Sequence, residues 1–114
     1  MEVVVFSPEL KKGSIELLIL SLLEDQPRHG YEIGKLIEVR SGGRLKFRIS
    51  SLYPILCRME NKGWLRSRWV EKEGQRRRCY YRLTPRGERA LDGERKKWEE
   101  FSTAINMITG LSHA

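Results

Sequence analysis

Ser50-Ser51-Leu52-Tyr53-Pro54-Ile55-Leu56-Cys57-Arg58-Met59-Glu60-Asn61-Lys62-Gly63 is the stretch that decides the fold. Leu52, Ile55, Leu56 and Met59 fall at i, i+3, i+4 and i+7, the single apolar stripe of an amphipathic helix. Gly63, just past Lys62, is a helix stop. Ser50 or Ser51 is the expected N-cap. Pro54 places the first turn beside it, because a proline deeper in a helix removes a backbone donor. With about 100° between successive residues, the opposite face carries Ser50, Pro54, Cys57 and Asn61, flanked by Tyr53 and Arg58. That outer face is short, uncrowded and free of acids.

Downstream, a hairpin is predicted from Trp64 to Glu73, around Gly74-Gln75, and back from Arg77 to Thr84. Leu65 and Trp69 share one parity on its first strand, and Cys79, Tyr81 and Leu83 share one on its second. The tip carries Arg76, Arg77 and Arg78 in succession. Thr84-Pro85 opens a last helix expected to reach about Leu111. In it Leu91, Trp98 and Ile105 recur at seven, with Phe101 and Ile108 between, which is a heptad seam broken by Glu94. Upstream, Leu45-Lys46-Phe47 reads as a short strand. A helix from about His29 to Val39 puts Ile33, Leu36 and Ile37 on one face and ends at Ser41-Gly42-Gly43. Gln26-Pro27-Arg28 is a break. Before it a first helix starts at Ser7-Pro8-Glu9 and runs to about Asp25. It is apolar on nearly every side, so Leu10 and Leu17 are expected to need cover from a partner subunit.

Helix, helix, short strand, helix and two-stranded ribbon is the order of a winged helix-turn-helix. The expected fold is therefore mainly α with a small β-hairpin. Residues 1–84 form the winged unit and 85–114 a C-terminal dimerisation helix of the same globular body. A chain of 114 residues is long enough to bury a core without disulfides or a structural metal. No run approaches the roughly 18 apolar residues of a membrane span. Met1 to Phe6 lacks the basic start of a signal peptide. Two cysteines, Cys57 and Cys79, with His29 and His113, match no metal spacing. No catalytic triad or phosphate-binding glycine loop is present, so neither enzyme activity nor a cofactor is expected, and a reducing cytoplasm is the expected address.

The charge narrows the function further. The chain carries a formal +7, and its distribution is uneven. Arg44 to Arg82 holds twelve bases against Glu60, Glu71 and Glu73, a net +9, while the remainder holds ten bases and twelve acids. Nine of those twelve bases are arginine, whose planar fork suits phosphate. In a winged helix-turn-helix the third helix enters the major groove and the ribbon tip reaches phosphates nearby. Arg76, Arg77 and Arg78 are the candidate phosphate ligands. Ser50, Ser51, Tyr53, Pro54, Cys57 and Arg58 are the candidates on the helix, with Arg58 able to pair with guanine. The other reading of the same basic patch is a non-specific nucleoid or RNA-binding module.

The residues also resemble the PadR family of transcriptional regulators in its short form, with a single C-terminal helix. The matching segments are Lys12-Gly13-Ser14-Ile15-Glu16-Leu17-Leu18-Ile19-Leu20, His29-Gly30-Tyr31-Glu32-Ile33, Ser51-Leu52-Tyr53-Pro54-Ile55-Leu56, Arg58-Met59-Glu60 and Gly63-Trp64-Leu65. They end with Arg77-Arg78-Cys79-Tyr80-Tyr81-Arg82-Leu83-Thr84-Pro85-Arg86-Gly87. The resemblance implies a homodimeric repressor on a pseudo-palindromic DNA operator, relieved by a ligand or stress signal in members with known effectors. It implies that Ser51, Tyr53 and Pro54 lie at the DNA and that the His29 segment is architectural. The dimer seam is expected at Leu10, Leu17, Leu91, Trp98, Phe101, Ile105 and Ile108, with Trp98 also a candidate for holding a flat effector.

Overall fold

The apolar stripe of the third helix organises everything around it. The computed structural model describes residues 13–111. In them α1 spans Ile15–Leu22, β1 Arg28–His29, α2 Gly30–Arg40, α3 Ile49–Asn61, β2 Leu65–Val70, β3 Arg78–Leu83 and α4 Pro85–Thr109. The expected start of the first helix at Ser7-Pro8-Glu9, Leu10 and His113 lie outside the described residues. Leu52, Leu56 and Met59 are fully buried, with Ile55 half-buried beside them. They pack with Ile19 and Leu20 of α1, Ile33 and Ile37 of α2, Leu65 and Tyr81 of the sheet, and Leu91 of α4. Packing this stripe inward leaves the opposite face of α3 exposed from Ser50 to Arg58.

Two sequence expectations at α3 are corrected. The helix starts five residues before Pro54, with Arg48 at the N-cap, and its carbonyl accepts from the Ser51 and Leu52 amides at 2.9 and 3.1 Å. Neither Ser50 nor Ser51 is the cap, since no side chain caps this end. Pro54 therefore sits inside the helix and withholds the amide that the Ser50 carbonyl would take from i+4.

The sheet is also different. Leu45-Lys46-Phe47 is not a strand. The Leu45 amide donates to the Ser41 hydroxyl at 2.9 Å, which folds the segment back on the end of α2. The third strand is β1, which pairs antiparallel with β3, Arg28 opposite Tyr81 and His29 opposite Tyr80. The order β1-β3-β2 puts β3 in the centre. Two residues are too few to show alternation in the sequence, and only the free edge of β3 makes a strand of them.

Arg28 is the charged residue at the centre of this arrangement. It is 5% exposed. Its Nε donates to the Leu22 carbonyl at 2.7 Å, capping the end of α1, and one terminal nitrogen pairs with Glu32 of α2 at 2.9 Å. The other reaches both oxygens of the exposed Asp25 at 3.4 Å. A buried cation is tolerated only when its donors are satisfied, and here α1, β1 and α2 share that task.

A second junction holds the wing to α4. Thr84 caps that helix, its hydroxyl accepting from the Gly87 amide at 3.0 Å and donating to the Gly63 carbonyl at 2.6 Å. Gly87 is required here, because a Cβ would collide with the Trp64 carbonyl oxygen. The Glu60 carboxylate accepts from both the Ser67 amide and the Ser67 hydroxyl, at 3.1 and 2.7 Å, which fixes α3 to β2.

Arg28→Met keeps the length of the side chain and removes its donors. It leaves the Leu22 carbonyl and Glu32 without their partner, at a cost of about 2–3 kcal/mol on the scale of hydrogen bonds to charged groups. Urea denaturation should show the midpoint falling accordingly. An unchanged midpoint would show that Arg28 does not hold the helices together.

Candidate nucleic-acid interface

The exposed face of α3 and the tip end of the wing converge on one recess. Ile49 and Tyr53 of α3, His29, Gly30 and Tyr31 at the start of α2, and Trp69, Arg76, Arg77, Arg78 and Cys79 of the hairpin line it, enclosing about 440 Å³. The sequence placed Tyr53 and the three arginines on two elements, and the fold brings them together. Arg78 is already the first residue of β3, and Arg76 and Arg77 precede it in the tip. Ser50, Ser51, Pro54, Cys57 and Arg58 continue this surface along α3 and are all exposed. The hydroxyls of Ser50, Ser51 and Tyr53 and the guanidinium of Arg58 have no hydrogen-bond partner among the described residues. Groups this polar, exposed and unpaired are free to exchange water for a ligand. Among the described residues, no acidic side chain lines the recess.

Two aromatic residues of the recess were not singled out in the sequence. Trp69 has the inward parity of Leu65, yet it is 57% exposed because β2 runs beyond the core at that point. The Arg77 guanidinium lies 4.9 Å from its ring centre. Tyr31 is 62% exposed, with Arg78 at 5.9 Å from its ring. Each aromatic face presents a planar cation to the recess at cation–π distance. The signal available was a tryptophan a few residues from an arginine triplet, which by pattern alone is indistinguishable from a core residue.

His29 is the N-cap of α2. Its Nδ1 accepts from the Glu32 amide at 3.2 Å, and its ring meets Tyr80 edge-on at 5.2 Å. Burial lowers its pKa, Arg78 and Lys72 lower it further, and Glu32 opposes them. The architectural role expected from the sequence is thus a specific capping bond. Cys57 is exposed on α3, while Cys79 is half-buried, and burial, with the Cys79 thiol adding to it, pushes the Tyr81 phenol well above its usual range.

The residues expected at the seam divide. Leu91 is 2% exposed within the single chain, so it belongs to the core of the protomer and not to its surface. The first turns of α4 pack on α1, and the heptad is spent there before it reaches Trp98. Leu17 is half-buried. Trp98, Phe101, Ile105 and Ile108 are exposed, with Trp98 and Phe101 in ring contact at 5.8 Å.

Among known proteins, the transcriptional regulator PadR-like family matches residues 19–93, about two-thirds of the chain. The chain belongs to this family. A transcriptional regulator of Mycobacterium tuberculosis is 34% identical over 107 residues, covering 92% of each chain. A transcriptional regulator from Clostridium thermocellum superposes with a TM-score of 0.82 at 32% identity, over 90% of this chain and 97% of that one. A PadR family transcription regulator from Clostridium difficile gives 0.75 at 31% identity, over 84% and 98%. The protein is a PadR-like, DNA-binding transcriptional regulator with the family's winged fold.

In this PadR-like chain His29 also makes stability pH-dependent. Its folded-state pKa lies below the ordinary 6.5, so the neutral ring's contribution is present above that value and is lost as pH falls below it. Protonation turns the Nδ1 acceptor toward the Glu32 amide into a second donor. Melting temperature should decline as pH is lowered from 6.5, and His29→Asn, a cap that does not titrate, should flatten the decline in that window. Parallel curves for parent and variant would contradict the role.

Proposed function

We propose that the protein is a homodimeric repressor that reads a pseudo-palindromic operator with the exposed face of α3 while Arg76, Arg77 and Arg78 hold the flanking phosphates. The observation that carries this reading is the recess itself. Tyr53 of α3 and the three arginines share one surface, continuous with Ser50, Ser51 and Arg58, that carries no acid among the described residues. The Ser50, Ser51 and Arg58 side chains have no partner among the described residues. Tyr53 and Arg58 are the specificity residues in this reading, because their side chains offer donors to base edges. The arginines, as phosphate ligands, supply affinity without sequence discrimination.

Dimerisation is supported by the second half of α4. Trp98, Phe101, Ile105 and Ile108 leave an apolar stripe uncovered in the single chain. The principal extents of 54 × 36 × 23 Å reflect a helix that projects past the body. Pairing through that projection sets two α3 helices at a fixed separation, as a two-fold operator requires.

Footprinting of the purified protein on genomic fragments identifies the operator, and binding to that duplex tests the roles. Arg77→Ala should weaken binding to all sequences alike and flatten the slope of log affinity against log salt by about 1 for each phosphate it no longer neutralises. Arg58→Ala and Tyr53→Ala should instead lose discrimination between operator and random duplex, by about 1–3 kcal/mol each. Uniform losses from Tyr53 and Arg58 would reassign them to the backbone, and support a non-specific module.

Trp98 is 46% exposed in the single chain, so Trp98→Ala should leave the protomer folded and remove its dimer. Sedimentation should report a monomer with a near-parent circular dichroism spectrum and much weaker operator binding, since two half-sites are no longer engaged together. A dimer of unchanged affinity would contradict the seam.

A further inference from the structure

The back of the wing carries a second basic surface that the operator reading leaves unused. Side chains alternate along a strand, so Leu65 and Ser67 face α3 while Arg66, Arg68 and Val70 face away. Tyr80 and Arg82 of β3 lie on that outer face too, as does Arg78 opposite Val70, which joins it to the primary recess. Lys72 and Pro27 border the part beyond Arg78, a shallow recess of about 380 Å³ that no acidic side chain of the described residues lines. Arg66, Arg68 and Arg82 are exposed, and none has an ion-pair or hydrogen-bond partner among the described residues. Arg66 stands directly opposite Arg82 across the ladder. Like charges in that position repel and weaken a two-stranded pairing. Among the described residues, no side chain relieves the repulsion.

We propose that this outer face is a second DNA-backbone surface, taking phosphates of the duplex that flanks the operator. The inference rests on the reading of α3 and Arg76 to Arg78 as the primary grip, and adds a contact beyond it. Charge complementarity selects the occupant. Guanidinium forks bind phosphate oxygens in pairs, and Arg66 and Arg68, about 7 Å apart along β2, cover a stretch of about two phosphates on one strand. Val70, Tyr80 and Pro27 form a largely apolar floor that supplies no competing anion. The face lies on the wing itself and meets the primary recess at Arg78.

The test compares two duplexes, one trimmed to the pseudo-palindromic core within the footprint and one carrying about 15 further base pairs of arbitrary sequence on each side. The parent dimer should bind the longer duplex about tenfold more tightly at about 50 mM salt, with a steeper salt slope, as extra phosphate contacts release extra counterions. Arg66→Gln, Arg68→Gln and Arg82→Gln combined should bind the trimmed duplex as the parent does and lose the gain on the longer one. Its melting temperature should be unchanged or raised, since the cross-strand repulsion is removed. A parent with equal affinity for both duplexes overturns the second surface and leaves the primary reading intact. A parent that binds neither overturns both. A triple variant that matches the parent on both duplexes assigns the patch to another polyanion or an acidic protein. Equal loss on both places the three arginines in the primary grip. Either result overturns the proposal.

Discussion

The buried guanidinium of Arg28 is the constraint on which the rest of the arrangement depends. Removing a cation from water is expensive, and the cost is met only where carbonyl and carboxylate oxygens already converge. Leu22, at the end of α1, and Glu32, in the first turn of α2, supply them. The bond fixes the angle between those helices and holds the backbone of β1 along the free edge of β3. β3 begins with Arg78, so the position of the wing relative to α2 and α3 follows from one buried charge. The recess between Tyr53 and the arginine triplet is a consequence of that pairing.

The second organising feature is the disposal of acids. Of the acids in and around the basic central stretch, Glu60 is engaged by Ser67 and Glu32 by Arg28. Glu16 pairs with Lys62 at 2.9 Å, and Glu24 with Arg95 at 2.8 Å, where the arginine holds the carboxyl below its ordinary pKa. Such partly exposed pairs contribute little to stability. Their effect is one of distribution: these four carboxylates are bound within the protomer, and, although Glu71 and Glu73 stay exposed in the hairpin turn, the arginines of α3 and the wing are left for other anions. An uneven linear charge pattern thereby becomes an uneven surface, which is what attracts and orients a polyanion.

How much of this was legible in the sequence depended on the length of each pattern. The stripe of Leu52, Ile55, Leu56 and Met59 repeats often enough to define a helix, and it does so in the fold. Thr84-Pro85 and Gly63 are local stereochemical signals, and both act where they were read. β1 was illegible because a two-residue strand has no period, and Leu45 and Phe47 imitated one while being half-buried for a different reason. Leu91 and Trp98 are equivalent in the heptad, yet one is in the core and the other on the surface. A linear repeat cannot say where an intramolecular contact ends. Trp69 was concealed by the same ambiguity in the other direction, since its parity was inward but its strand had outrun the core. The partners of Arg28 include a backbone carbonyl, which no residue pattern encodes.

The central claim is that one face of α3 and the wing arginines form a single DNA-reading surface. It is tested most directly by amide chemical-shift mapping of the protein with a duplex trimmed to its footprint. The largest changes should fall at Ser50 to Arg58 and at Arg76 to Arg78, with Tyr31 and Trp69 among them and the second half of α4 unaffected. Changes centred on α4, or absent from α3 while present on the wing alone, would contradict it.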